Sequence, residues 1–151
     1  MSNLSATANA FAVVGLTDVV SRAAIQLLDL LLRAKAASKN ALRLSKALEN
    51  LGSVVAKVRM FANEFEQSTF ALDDHRTLPQ ELETTLGMCL HEIGQLRLVI
   101  TAATVGTKDT LLKQWRRSLG LALEEQRILR SCQILEGHKT TLTAVLMVHN
   151  A

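Results

Sequence analysis

An all-α fold is predicted by three features of this chain: its residue usage, its shortage of turn-formers, and apolar residues that recur at helical spacing. Its 151 residues include one Pro, seven Gly and no Tyr, and four Phe with one Trp are the only aromatics. Sandwiches and barrels need frequent turns rich in Gly and Pro. Leu, Ala, Glu, Lys, Arg and Gln are plentiful instead, and these are the strong helix formers. With 48% hydrophobic and 21% charged residues, the chain is too apolar for intrinsic disorder. Its length fits one domain on a scale of roughly 100–200 residues per domain. The prediction is an antiparallel up-down bundle of four long helices plus a short N-terminal helix, in a single domain spanning residues 1–151.

Each element has its own signal. Residues 1–17 carry no charge and are small and apolar, from Ala6 to Leu16. They predict a short helix near 4–14, ended by Gly15. Thr17 suits the cap of a second helix near 18–35, where Leu16, Val20, Ala23, Leu27, Leu30 and Ala34 form an apolar stripe. Asp18, Arg22 and Asp29 interrupt that segment. No uninterrupted apolar run reaches the ~20 residues of a membrane-spanning helix. A helix near 38–70, capped by Ser38, carries Ala37, Ala41, Leu44, Leu48, Leu51, Val55, Val58, Ala62 and Phe65. Asp73-Asp74-His75-Arg76 reads as an exposed loop. Thr77 and Gln80 have capping-box spacing, with Pro79 in the first turn of a helix near 79–104. Its stripe is Leu82, Leu86, Cys89, Ile93, Leu96, Ile100 and Ala103. Gly106-Thr107 starts a helix near 108–147, with Asp109 in its first turn. There Leu121, Ile128, Cys132, Leu135, Leu142 and Leu146 form the stripe, and Gly137 is a point where it can bend or split. Steps of three and four residues, or of seven, suit helices packed side by side at small crossing angles.

No catalytic constellation emerges. His91-Glu92-Ile93-Gly94-Gln95 begins like H-E-x-x-H, but Gln95 stands where the second zinc ligand belongs. Gly106-Thr107-Lys108 lacks the rest of a phosphate loop. Cys89 and Cys132 do not make a disulfide framework. Both fall on predicted core stripes, where a free cysteine acts as a small hydrophobe. His75, His138 and His149 are expected to be solvated. Neither a cofactor, a metal site nor a small-molecule substrate is predicted.

Charge is distributed unevenly behind the formal +3 and the sequence pI of about 9.1. Residues 33–60 hold seven basic residues, Arg33, Lys35, Lys39, Arg43, Lys46, Lys57 and Arg59, against Glu49 alone. Lys113, Arg116 and Arg117 cluster beside Trp115. A solvated helix face accounts for such residues, and so does attraction to anionic lipid. Nucleic acid fits poorly, because aromatics for base stacking are nearly absent. An apolar segment beside basic charge is the usual composition of a membrane attachment. The candidate inserting residues are Leu4, Phe11, Val13, Val14 and Leu16. The candidate lipid-facing basic residues are Arg33, Lys35, Lys39, Arg43, Lys46, Lys113, Arg116 and Arg117.

Three stretches carry a resemblance. They are Ala12-Val13-Val14-Gly15-Leu16, the Leu-rich heptads from Leu44 to Val58, and the closing segment Leu135-Glu136-Gly137-His138-Lys139-Thr140-Thr141-Leu142-Thr143-Ala144-Val145-Leu146. Together they are similar to the N-terminal helical domains, HeLo-like and related, of fungal NOD-like receptors, which are STAND NTPases. The resemblance implies a non-enzymatic, oligomerising effector domain in innate immunity and programmed cell death, of the kind tied to heterokaryon incompatibility. It would precede nucleotide-binding and repeat domains. It would reside in the cytoplasm and move to the plasma membrane on activation. The inserting segment would be Leu4 to Leu16, which lacks the expected glycine zipper and offers only Ala8, Ala12 and Gly15. The alternative is a homotypic interaction or adaptor domain with no membrane role.

Overall fold

The computed structural model describes residues 2–33, 39–67, 78–104 and 111–149, with side chains described over 10–32, 41–67, 78–101 and 126–149. Four α-helices and no strand occur among them: α1 (Ser2–Arg33), α2 (Lys39–Gln67), α3 (Gln80–Thr104) and α4 (Leu111–His149). The fold is all-α.

The separate N-terminal helix is corrected: α1 runs unbroken through Gly15 and Thr17 for 32 residues. Thr17 is not a cap. It is buried, and its hydroxyl donates to the carbonyl of Val14 at 2.7 Å. That bond satisfies a polar group inside the core without ending the helix. Once Thr17 counts as interior, the buried seam of α1 is Ala10, Val13, Thr17, Val20, Ala24, Leu27 and Leu31. Its steps alternate three and four. Of the predicted stripe Val20 and Leu27 are buried, whereas Leu16, Ala23 and Leu30 are only partly buried against the core, each one residue before a seam position.

The other stripes lie where the spacing put them. On α2, Ala41, Leu44, Leu48, Leu51, Val55, Val58 and Ala62 are buried, and Phe65 is partly so. On α3 the stripe is buried from Leu82 to Ile100, and on α4 Ile128, Cys132, Leu135, Leu142 and Leu146 are buried. Pro79 precedes α3, and its carbonyl accepts from the Leu82 N–H at 3.0 Å. Gln80 Nε2 donates to Glu83 Oε2 at 3.3 Å. Glu81 and Glu83 sit in the first turn, where the helix dipole favours acids. The suggested caps Ser38, Thr77 and Thr107 and the loop around His75 lie outside the described residues.

The packed pairs are α1 with α2, α1 with α3, α2 with α4, and α3 with α4. Around the bundle the order is therefore α1-α2-α4-α3. Simple antiparallel stacking of successive helices would have made α2 and α3 neighbours, and they are not a packed pair. Residues 43–50 of α2 share a cleft with 129–136 of α4, and residues 54–64 share another with 143–147. Numbers rise together on both helices, so α2 and α4 run in the same direction.

Gly137 does not split α4, nor does Gly94 split α3. Both are exposed, and a Cβ built at either meets nothing within 4 Å. Glycine inside a helix costs roughly 0.5–1 kcal/mol relative to Ala. Gly94→Ala and Gly137→Ala should each add that increment to the unfolding free energy, raising the urea midpoint by the increment divided by an unchanged m-value. A lowered midpoint for either would mean that its surroundings differ from those described.

Candidate membrane-facing and basic surfaces

The first helix is apolar on more than its buried seam. Phe11 (60% exposed), Ile25 (64%) and Leu32 (77%) project outward, with Val19 half exposed beside them. At 3.6 residues per turn, positions 11, 18, 25 and 32 fall on one face. That face also carries Asp18, Arg22, Gln26 and Asp29. Arg22 contacts Asp18 Oδ2 at 2.7 Å, and Arg59 of α2 approaches Asp18 Oδ1 at 4.0 Å. Exposed pairs of this kind add little stability, and the face is mixed, with apolar and charged side chains alternating. Beside it, Arg97 of α3 donates to Gln26 Oε1 at 2.8 Å and ties α3 to α1.

By length and mean hydropathy, 1.5, Ala10–Leu32 is long and apolar enough to cross a membrane. Asp18, Arg22 and Asp29 still interrupt it, so no uninterrupted apolar run is present. A core helix of a soluble protein or an N-terminal signal sequence meets the same length and hydropathy.

The candidate inserting residues separate. Phe11 faces solvent, Val13 is a core residue, and Val14 and Leu16 pack partly against the core. The side chain of Leu4 lies outside the described ones. The outward residues Val19, Ile25 and Leu32 lie beyond the uncharged first seventeen residues, where the sequence signal for insertion is strongest. The seven-residue spacing of Phe11, Ile25 and Leu32 could have found three of the four.

Of the basic candidates, Arg43 and Lys46 are exposed on α2, at one end of its seam with α4. Lys35 lies outside the described residues. Arg33, Lys39, Lys113, Arg116 and Arg117 have side chains outside the described ones, as does Trp115.

Between α3 and α4 the sequence offered only a failed metal motif. Ser131, which is buried, donates to Glu92 Oε1 at 2.6 Å. The distance is that of a strong hydrogen bond to a carboxylate. His138 lies two turns along α4 from Ser131. It is half-buried, contrary to the expectation of a solvated histidine. Burial holds its pKa below the ordinary 6.5, partly opposed by the Glu92 carboxylate. The folded state therefore favours neutral His138, so stability is full above pH 6.5 and falls as the pH drops below it. Between pH 7.5 and 5.5, His138→Gln should lose less stability than the parent chain in urea titrations; equal losses would rule this contribution out. Cys89 and Cys132 are free and buried, as their stripes implied. Burial pushes the Cys89 thiol up to about 12 and raises that of Cys132. Among the described residues no three metal-ligating side chains converge.

No protein-family model, no curated protein and no solved structure matches this chain.

Proposed function

We propose that this chain is a non-enzymatic signalling domain that self-associates on activation and acts on membranes through α1. One observation carries the reading: α1 turns the large apolar side chains Phe11, Val19, Ile25 and Leu32 to solvent, interleaved with Asp18, Arg22, Gln26 and Asp29, while its opposite face is seated in the bundle core. Large apolar side chains gathered on one exposed face mark an interaction surface. Basic residues, Arg43 and Lys46 among them, would draw the domain toward anionic headgroups.

In this reading the bundle runs up-down, and its N-terminal part, residues 4–16, detaches as a short inserting helix. The domain rests in the cytoplasm, relocates to the plasma membrane and triggers regulated cell death. It belongs ahead of the nucleotide-binding and repeat domains of a fungal NOD-like receptor, as its resemblance implies. Self-association and anionic lipid are its partners; nucleic acid and small-molecule substrates are not.

The seven-residue spacing of Phe11, Ile25 and Leu32 favours a second reading, since a heptad strip also suits helix-to-helix pairing between copies. Dye release from sealed vesicles separates the two. The full chain is expected to release dye from vesicles rich in phosphatidylserine and to spare phosphatidylcholine vesicles. A discrete oligomer that releases dye from neither overturns the membrane reading and leaves an interaction domain.

A further inference from the structure

The seam between α2 and α4 carries two clefts in a row. The first, about 590 Å³, has Arg43 and Lys46 on its rim, the amides of Asn50 and Gln133 beside them, and Leu129 and Cys132 as apolar lining. Its acid, Glu136, is already paired with Lys139 at 2.8 Å. The second, about 360 Å³, is lined mainly by Val54, Met60, Phe61, Leu146 and Met147, with Lys57 and Glu64 as its charged groups. Both open on the same side of α2 and of α4, by the 100° turn per residue. Between them Ser53 and Thr140 are small and exposed, and the half-buried Lys139, seven residues from both Cys132 and Leu146, lies on the same stripe of α4 with its amine drawn to Glu136. From the centre of one cleft to the centre of the other is about 20 Å at 1.5 Å per residue.

A cationic end with amide donors and an apolar end about 20 Å away match an amphiphile with one anionic head and one chain. We infer that this seam binds an anionic single-chain lipid, its phosphate held by Arg43 and Lys46 and its chain laid along Met60, Phe61, Leu146 and Met147. Charge complementarity selects that occupant over an apolar peptide, which would leave Arg43 and Lys46 unused. Arginine and lysine both suit phosphate, Arg through its planar fork and Lys as a point charge. Asn50 and Gln133 supply amide N–H donors beside the head. The inference deepens the membrane reading by naming a lipid site away from α1, and it needs no bilayer.

Methionine methyls report on it directly. The chain has four Met; Met60 and Met147 line the apolar cleft, whereas Met88 is exposed on α3, away from the seam. The full chain, labelled at the methionine methyls, is titrated with palmitoyl lysophosphatidic acid below its aggregation threshold. Parallel titrations use inorganic phosphate and palmitoyl lysophosphatidylcholine. Saturable shifts at Met60 and Met147 with Met88 unmoved are expected from lysophosphatidic acid. Arg43→Gln with Lys46→Gln, both at exposed positions, should weaken its binding by at least about tenfold, the worth of a charge-assisted hydrogen bond. Phosphate alone should leave the methionines in place, and the choline lipid should bind more weakly.

Four results would overturn the site. They are Met88 shifting together with the others, no saturation, equal binding of the choline lipid, and indifference to the double substitution. Because this titration contains no vesicle, its failure and that of the dye-release experiment are told apart.

Discussion

Leu48→Ala is expected to destabilise the folded chain by about 2–5 kcal/mol, whereas Leu42→Ala should stay within about 0.5 kcal/mol. Both residues lie on α2, six positions apart, and both substitutions remove the same atoms. Leu48 is fully buried on the central seam, and Leu42 is 64% exposed. Ala has slightly the better helix propensity, so neither change should weaken α2 as an isolated helix. The difference is then the cavity that Leu48 leaves in the bundle core. Domains of this size are stable by roughly 5–15 kcal/mol, so the loss at Leu48 is a large fraction of the total. Urea unfolding followed by far-UV circular dichroism measures both. Equal losses would mean that α2 does not present the inner face described. A changed m-value for Leu48→Ala would point to a loosened native state.

Most of this fold was legible because it rests on one repeated rule. A helix that buries one face must repeat apolar residues every three and four positions. On α2 and α3 every described stripe residue but Phe65 is buried, and Phe65 is partly so. Cys89 and Cys132 follow the same rule, and both are buried. Failures came where one residue type serves two purposes. Gly15 and Thr17 together spell a helix boundary, but glycine is tolerated mid-helix and a threonine hydroxyl can bond back within its own helix. Reading them as a boundary split α1 and put Leu16, Ala23 and Leu30 in place of Thr17, Ala24 and Leu31, while Val20 and Leu27 were placed correctly.

Ring order was not legible, because periodicity says which face is buried and not which neighbour buries it. The Ser131–Glu92 bond joins residues 39 apart, and no local pattern links them. The α2/α4 seam was half legible: Arg43 and Lys46 were conspicuous by charge, but the apolar cleft beyond them needs two helices brought together. On α1 the apolar content was plain from the sequence. Its division into an inner and an outer face became clear only once the seam was fixed at Val13 and Thr17.

That division changes which variant tests the membrane role. Removing residues 1–16 would delete the inserting segment, but it also deletes Ala10 and Val13 from the core, so lost activity could reflect lost packing. Phe11→Ser with Ile25→Ser and Leu32→Ser strips the outer strip alone. Serine is a weaker helix former by up to about 0.7 kcal/mol per position, so the triple variant should remain folded with a modestly lower Tm. Full transfer of each large apolar side chain out of water is worth about 1.5–3 kcal/mol. Three together forfeit about 5–9 kcal/mol of membrane partitioning, more than three orders of magnitude. Dye release from anionic vesicles should therefore vanish in the triple variant while its circular dichroism spectrum stays helical. Val13→Ser acts first on the core, lowering stability by creating a cavity and burying a hydroxyl, and because Val13 also belongs to the inserting segment it is read by its stability alone. Release that survives the triple substitution would remove α1 from the membrane mechanism. Loss of self-association in that variant, with no release from the parent chain, would assign the strip to contacts between copies.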